Sequence, residues 1–282
     1  MPSSPYSSAR QVRLAIAERL REIMRDAGRT GRSLADAAGW HESKSSRLLH
    51  AKTLPSDEDL RRWCQVCGAT DQVDDLLSLS RTAESMYVEW KRLHRTGLRQ
   101  LQESKVPLYE STRLHRVYCS QLIPGFLQTP EYAWVLLKMF GNFHNAPDDL
   151  EAAVAARMAR NDLLRRAGYR FKFLLEEQVL RHQIGDPSVM RAQLEHLLAV
   201  AKLPSTSVGI IPVTAPRRLW TLEAFNVFDD NLVQVELLTA TVNVTQPSEV
   251  GLYIKGFTDL AAMSVVGAPA KRLVQAAQQN FM

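Results

Sequence analysis

The chain has 282 residues, 45% hydrophobic and 23% charged, with a formal net charge of +5, a composition typical of a globular protein and a length that suggests two domains. No apolar run approaches the roughly 18–20 residues a membrane span needs, and the polar Met1–Arg10 segment lacks an apolar core, so no secretory signal is expected. Three cysteines, Cys64, Cys67 and Cys119, are too few and odd in number for a disulfide framework, which fits a reducing cytosol, and collagen, coiled-coil and wholly disordered readings are excluded.

Charge is unevenly spread. Residues 1–52 carry 10 Lys/Arg against 5 Asp/Glu, residues 53–90 carry 3 against 8, residues 91–116 carry 7 against 2, and the remainder balances. Two basic blocks separated by an acidic one give the surface a basic face, which permits nucleic-acid binding and equally describes solvated helix faces.

The first ninety residues read as five short helices. Val12, Ile16, Leu20, Ile23 and Ala27 recur on one helical face, and Gly28 ends that helix. Thr30 caps a second, which turns Leu34, Ala35 and Ala38 inward and closes at Gly39. A third runs from Glu42 to His50 with Leu48 and Leu49 as anchors. Leu54-Pro55 breaks the chain, and the acid-rich Ser56–Asp59 cap opens a fourth helix bearing Leu60, Trp63, Cys64 and Cys67. Asp71 caps a fifth that buries Val73, Leu76, Leu77 and Ser80. Cys64-Gln65-Val66-Cys67 has redox or zinc spacing, but no second ligand pair follows and both thiols fall on the apolar face, where Cys acts as a small hydrophobe.

A glycine turn between two short helices is the helix-turn-helix arrangement, with the third helix in the major groove and the second across the backbone. Glu42, Ser43, Lys44, Ser46 and Arg47 then project toward base edges or flanking phosphates, since Lys or Arg suits guanine and Glu suits cytosine. Arg32, Ser33 and Lys52 are the phosphate candidates, which position without specifying sequence. The stretch Arg19–Gly68, containing SLADAAGWHESKSSRLLHAKTLPSDEDLRRWCQVCGA, resembles the xenobiotic-response-element regulators of the lambda-repressor type. It departs from their pattern at Gly31, usually a Gln that contacts DNA, and at Ser45, usually an apolar residue beneath the recognition helix. A degenerate DNA contact is the corresponding alternative.

The basic stretch WKRLHRTGLRQLQESK, with Trp90, Leu93, Leu98 and Leu101, reads as a helix that either lies along DNA or bridges to the next domain. Strands are expected over Leu114–Ser120, Tyr169–Leu175, Ser207–Val213, Phe225–Asp229, Val233–Leu238 and Val242–Thr245. Helices are expected over Thr129–Phe140, Asp148–Ala167, Pro187–Ala201, Ser248–Met263 and Pro269–Gln278. Because the last four strands come nearly in succession, the sheet is expected to be mostly antiparallel. In PGFLQTPEYA, Pro124-Gly125 makes a turn and Thr129-Pro130-Glu131 caps a helix. Gln121, Gln128, Tyr132 and Trp134 are the alternative lining of a ligand or partner groove.

No phosphate loop, nucleophile elbow or zinc-protease motif is present. Glu176 and Glu177 read as an ordinary surface charge pair, and Cys119 as a structural thiol. The ordered series PGFLQTPEYA, VMRAQLEHLL, SVGIIPV, FNVFDD and VQVELLTATVNVTQPSEVGLYIKGF resembles a domain of unknown function that follows such a helix-turn-helix in WhiJ-like actinobacterial regulators. That resemblance implies a transcriptional regulator and a small acidic-to-neutral companion protein encoded nearby.

The expected fold is multidomain: an all-α five-helix helix-turn-helix domain over 1–86, a basic helical linker over 87–106, and an α+β regulatory domain over 107–282. The expected function is that of a cytoplasmic, nucleoid-associated DNA-binding regulator, a repressor acting as a homodimer on double-stranded DNA. Its second domain would dimerise and sense a small partner protein or ligand. The alternative is a protein-interaction module with weak DNA contact. No cofactor, metal or enzymatic activity is expected.

Overall fold

A computed structural model of the protein describes residues 5–77, 80, 87–89, 97–238 and 240–282. Trp90 and Leu93 of the basic stretch lie outside the described residues. The chain divides into two compact units, Met1–Val88 and Glu89–Met282.

The first unit is helical: α1 Pro5–Asp26, α2 Gly31–Ala38, α3 Glu42–Leu49 and α4 Asp57–Cys67. A 3-10 turn over Thr70–Gln72 leads into a further helical stretch over residues 73–77. Ser78 and Leu79 of the expected fifth helix lie outside the described residues. Its core contains Ile16, Leu20, Leu34, Leu48, Leu60, Trp63 and Leu76, matching the periodic positions read from the sequence. Trp63 is wholly buried, and its indole N–H donates to the Leu20 carbonyl at 3.2 Å. A buried indole is thereby satisfied and α4 is tied to α1.

The short strand β1, Tyr87–Glu89, lies at the division between the units. In the second unit come α5 Leu98–Ser104 and α6 Val106–Ser111, then β2 Leu114–Cys119. Next are α7 Pro130–His144, α8 Leu150–Ala159, a 3-10 continuation Arg160–Arg165, and β3 Arg170–Glu176. α9 Pro187–Val200 precedes β4 Thr206–Ile211, followed by β5 Phe225–Phe228, β6 Leu232–Glu236 and β7 Ala240–Val244. α10 Pro247–Ala261 and α11 Ala268–Gln278 complete it.

These six strands form a sheet in the order β7-β6-β5-β2-β3-β4. β2-β3 and β3-β4 are parallel, while β2-β5, β5-β6 and β6-β7 are antiparallel. The sheet is therefore mixed, which corrects the expectation of a mostly antiparallel one. The reason lies in the connections. Helical crossovers (α7 with α8, then α9) separate β2, β3 and β4, and parallel pairing needs links of that length. Only β5, β6 and β7 follow one another through tight turns.

One sheet face carries Val117, Phe171, Phe173, Leu175, Val208 and Ile210 into a core shared with Leu127, Met190, Leu194, Leu197 and Val274. The opposite face meets α10, which contacts β4, β5 and β6; the Tyr253 ring stands edge-on to Phe225 at 5.1 Å. α5 buries Leu98 beside Leu137 and Ala153. The Asp149 carboxylate accepts from the N–H groups of Leu98 and Arg99 at 3.0 and 2.9 Å, supplying the N-terminal cap that α5 lacks in its own sequence.

Candidate nucleic-acid interface

The α2–α3 junction is built from local chemistry. Thr30 and Ser33 form a reciprocal cap at the start of α2, with the Ser33 N–H donating to the Thr30 hydroxyl at 3.2 Å and the Thr30 N–H to the Ser33 hydroxyl at 2.9 Å. α2 ends at Gly39, whose φ of 75° is left-handed, a conformation that L-residues with a Cβ adopt only at a cost. The Trp40 N–H then closes back on the Ala35 carbonyl at 2.8 Å, the 6→1 bond of a Schellman cap. His41 caps α3 by accepting from the Ser43 N–H at 3.2 Å.

α3 packs through Ser45 and Leu48, both buried. Ser45, the apparent departure from the helix-turn-helix pattern, is 1% exposed, and its hydroxyl donates to the carbonyls of Gly31 at 3.1 Å and Glu42 at 2.9 Å. The polar side chain is accommodated because the carbonyl of Gly31, the other departure, accepts its hydroxyl. The two deviations from the pattern thus meet each other.

Opposite that buried side, Ser43, Ser46, Arg47 and His50 are exposed and fall within an arc of about 100° at 3.6 residues per turn. Glu42 is exposed at one flank. Lys44, at the other flank, is half-buried: its ammonium pairs with Asp59 of α4 at 2.5 Å and lies 4.5 Å from the centre of the Trp40 ring. Among the predicted contacts it is the one held in an ion pair within the described residues. Arg32, Ser33 and Lys52 are exposed, but the Ser33 hydroxyl is turned into the α2 cap. Among the described residues Arg47 makes no ion pair.

Two residues escaped the sequence reading. His50 shares the outer face and bonds through Nδ1 to the Ser46 carbonyl at 2.7 Å, leaving the other ring nitrogen outward; its i+3 and i+4 spacing from Arg47 and Ser46 was the available signal. Arg62 of α4 donates to the Ala37 and Ala38 carbonyls at 3.0 and 3.3 Å, capping the C-terminus of α2 with a cation where the helix dipole favours one. No local pattern announces that contact.

Other candidate chemistry resolves into structure. Cys64 is fully buried and burial pushes its thiol up to about 11; burial also pushes the Cys119 thiol up, to about 12. Both stay protonated and unreactive at neutral pH. Glu176 and Glu177 are 1% and 7% exposed, which corrects their reading as a surface pair. Their side chains do diverge. Glu176 takes a two-pronged bond from Arg217 at 2.8 and 2.5 Å and a third from the Tyr118 hydroxyl. Glu177 binds Arg181 and the Val213 N–H. Gln128 and Tyr132 are buried whereas Gln121 and Trp134 are exposed, so the four do not share one groove. No group of three metal-ligating side chains occurs among the described residues, and no helix there is long and apolar enough to cross a membrane.

Residues 109–275 match a family described as a domain of unknown function, DUF5753, which is more than half of the chain. The chain belongs to the DUF5753 family. Its DUF5753 region takes in all six strands of the mixed sheet. Residues 15–77 match a helix-turn-helix domain, a stretch that contains the whole of α2 and α3 and supports a DNA-binding regulator. No curated protein matches the chain.

Proposed function

We propose that this DUF5753 protein is a transcriptional repressor that binds double-stranded DNA as a homodimer, with α3 in the major groove. The observation that carries this reading is the outer face of α3, where Ser43, Ser46, Arg47 and His50 lie exposed opposite buried Ser45 and Leu48. Arg47, Ser43, Ser46 and Glu42 read base edges, joined by His50, while Arg32, Lys52 and the backbone beside Ser33 meet phosphates. Lys44 contributes positive charge at the edge of the interface while paired with Asp59. The boundaries proposed for the parts are 1–86 for DNA binding, 87–106 for a basic linker and 107–282 for regulation. The second part dimerises and senses a ligand or a small partner protein encoded by a neighbouring gene, without catalysis, in the cytoplasm at the nucleoid.

Selection of duplexes from a random pool by the full chain tests this, followed by affinity measurements with Arg47→Ala. A pseudo-palindromic consensus with half-sites about 10–10.5 bp apart, or a multiple of it, is expected. No preferred sequence, together with undiminished binding by Arg47→Ala, would overturn the placement of α3.

A further inference from the structure

The helix-covered face of the sheet changes character between its two halves. Over β2, β3 and β4 it is apolar, with Val117 beside Phe173. Across β5, β6 and β7 the same register row continues as Asn226, Gln234 and Asn243. Gln234 donates to Asn243 at 3.0 Å, and His115 of β2, stacked on Phe228, bonds to Asn226 at 3.2 Å. Three amides in one row on a sheet face are out of place in a hydrophobic core.

Two arginines border this half, Arg157 in the last turn of α8 and Arg160 just after it, the latter over the Tyr109 and Phe126 rings that pack on His115. Arg157 donates to Gln102 at 3.1 Å and to Gln128 at 2.8 Å, and Arg160 donates to the same Gln102 oxygen at 3.3 Å. Both partners are neutral amides. Among the described residues neither arginine has a carboxylate within ion-pair distance. Arg160 is 8% exposed. Its guanidinium lies 5.1 Å from the ring centres of both Tyr109 and Phe126, and it passes over Gly125, where a Cβ would overlap it. The nearest carboxylate that influences the pair, Glu236, is already bound to Lys105 at 2.9 Å. Glu236 thus acts on Lys105, Arg157 and Arg160 together, and burial with repulsion from Arg160 presses the Arg157 guanidinium down to about 9. An enclosed guanidinium without an anion is costly.

Two further observations point to a ligand here. Five buried side-chain polar atoms lack a hydrogen-bond partner among the described residues, and three belong here: Arg160 Nε, His115 Nδ1 and Thr241 Oγ1. Glu236 keeps half of its side-chain surface accessible, so solvent reaches this half of the sheet.

We propose that the amide half of the sheet is the floor of a small-molecule site, whose ligand seats a carboxylate or phosphate group against Arg157 and Arg160 and hydrogen-bonds to Asn226 and Gln234 with its remaining polar groups. The guanidinium forks suit a planar or tetrahedral oxyanion, and their enclosure admits a small molecule rather than a duplex. This gives chemical content to the ligand-sensing part of the proposed function and rests on that part alone.

The test is thermal unfolding of the full chain in chloride buffer at constant ionic strength, titrated with inorganic phosphate and separately with acetate. A saturable rise is expected for at least one probe, about 3–6 °C at ten times its dissociation constant; which probe acts separates a phosphate ligand from a carboxylate one. Gln102→Glu places an internal carboxylate between the arginines, so it should raise the melting temperature without probe and abolish the response. If Gln102→Glu does not fold, broadening of the phosphorus resonance of phosphate by the wild-type chain, or of the acetate methyl signal, reads the same site. A response that is linear, that survives Gln102→Glu, or that vanishes instead with Arg47→Ala would overturn the proposal, as would none at all. Retained DNA binding in those cases leaves the regulator reading intact.

Discussion

Lys44 of α3 and Asp59 of α4 face each other at 2.5 Å, with the Lys44 ammonium also over the Trp40 ring. Burial of the Asp59 carboxylate opposes its ionisation, but Lys44 and the N–H and hydroxyl of Ser56 outweigh burial and hold the carboxyl below its usual value. A carboxyl depressed in the folded state binds fewer protons than in the unfolded one. Its contribution to stability is therefore complete above about pH 4, the ordinary carboxylate value, and is lost as pH falls through the folded one. Asp59→Asn should show a shallower loss of helix-turn-helix stability on acidification below pH 4 than the wild type, read by circular dichroism. An identical acid profile would remove the pair from the stability of this unit.

Arg47 lies on the outer face without an internal partner, so its removal should spare the fold. Arg47→Ala is expected to weaken binding to the selected duplex about 5- to 100-fold and to lower the slope of log affinity against log salt by about 1 if it touches phosphate. The melting temperature should not change. Lys44→Ala should differ by lowering the melting temperature as well, because it strips α4 of its partner. Equal effects of the two variants on stability would contradict the geometry.

Ala51 follows α3 with a φ of 53°, and the Lys52 N–H closes on the Arg47 carbonyl at 2.9 Å. This is the same left-handed cap that Gly39 provides for α2, held by a residue with a Cβ. Because the left-handed region costs an L-residue about 1–2 kcal/mol, Ala51→Gly should stabilise the unit by about 0.5–1 kcal/mol after its greater unfolded freedom is counted. Chemical denaturation with an unchanged slope is the measurement.

His115 is held neutral, with burial lowering its pKa to about 3 against the hydrogen bond that its Nε2 donates to the Asn226 amide oxygen. The unfolded chain takes up a proton near pH 6.5 that the folded chain refuses, so stability of the second unit falls as pH drops from 6.5 toward 3. His115→Gln should flatten that slope in a melting series between pH 7 and 4. A parallel slope would mean that another group governs it.

The elements were largely legible because each carries its own period. Ile16, Leu20 and Ile23 marked α1, and the run Tyr169–Leu175 marked β3, which the structure places at Arg170–Glu176. What escaped were relations between distant positions. The parallel half of the sheet depends on pairing Val117 with Phe173 across two helices, which strand spacing alone does not reveal, although the crossover helices themselves were in view. Ser45 read as a defect until its bond to Gly31 was seen. Glu176 read as surface because Arg217, its partner, is 41 residues away. The amide row of Asn226, Gln234 and Asn243 was missed because each sits singly between two apolar neighbours in its strand and only the hairpin register aligns them.

The grip of α4 on its neighbours has a wider consequence. Arg62 ends α2 by holding two of its carbonyls, and Trp63 beside it holds Leu20 of α1. One turn of one helix thus clamps two others, which ties α1, α2 and α4 of the helix-turn-helix head into one piece. A signal has little to gain by bending such a piece. On the proposed reading, a signal would act by setting how many heads are held together and at what separation, so variants deaf to the signal but still able to bind DNA should map outside residues 15–77.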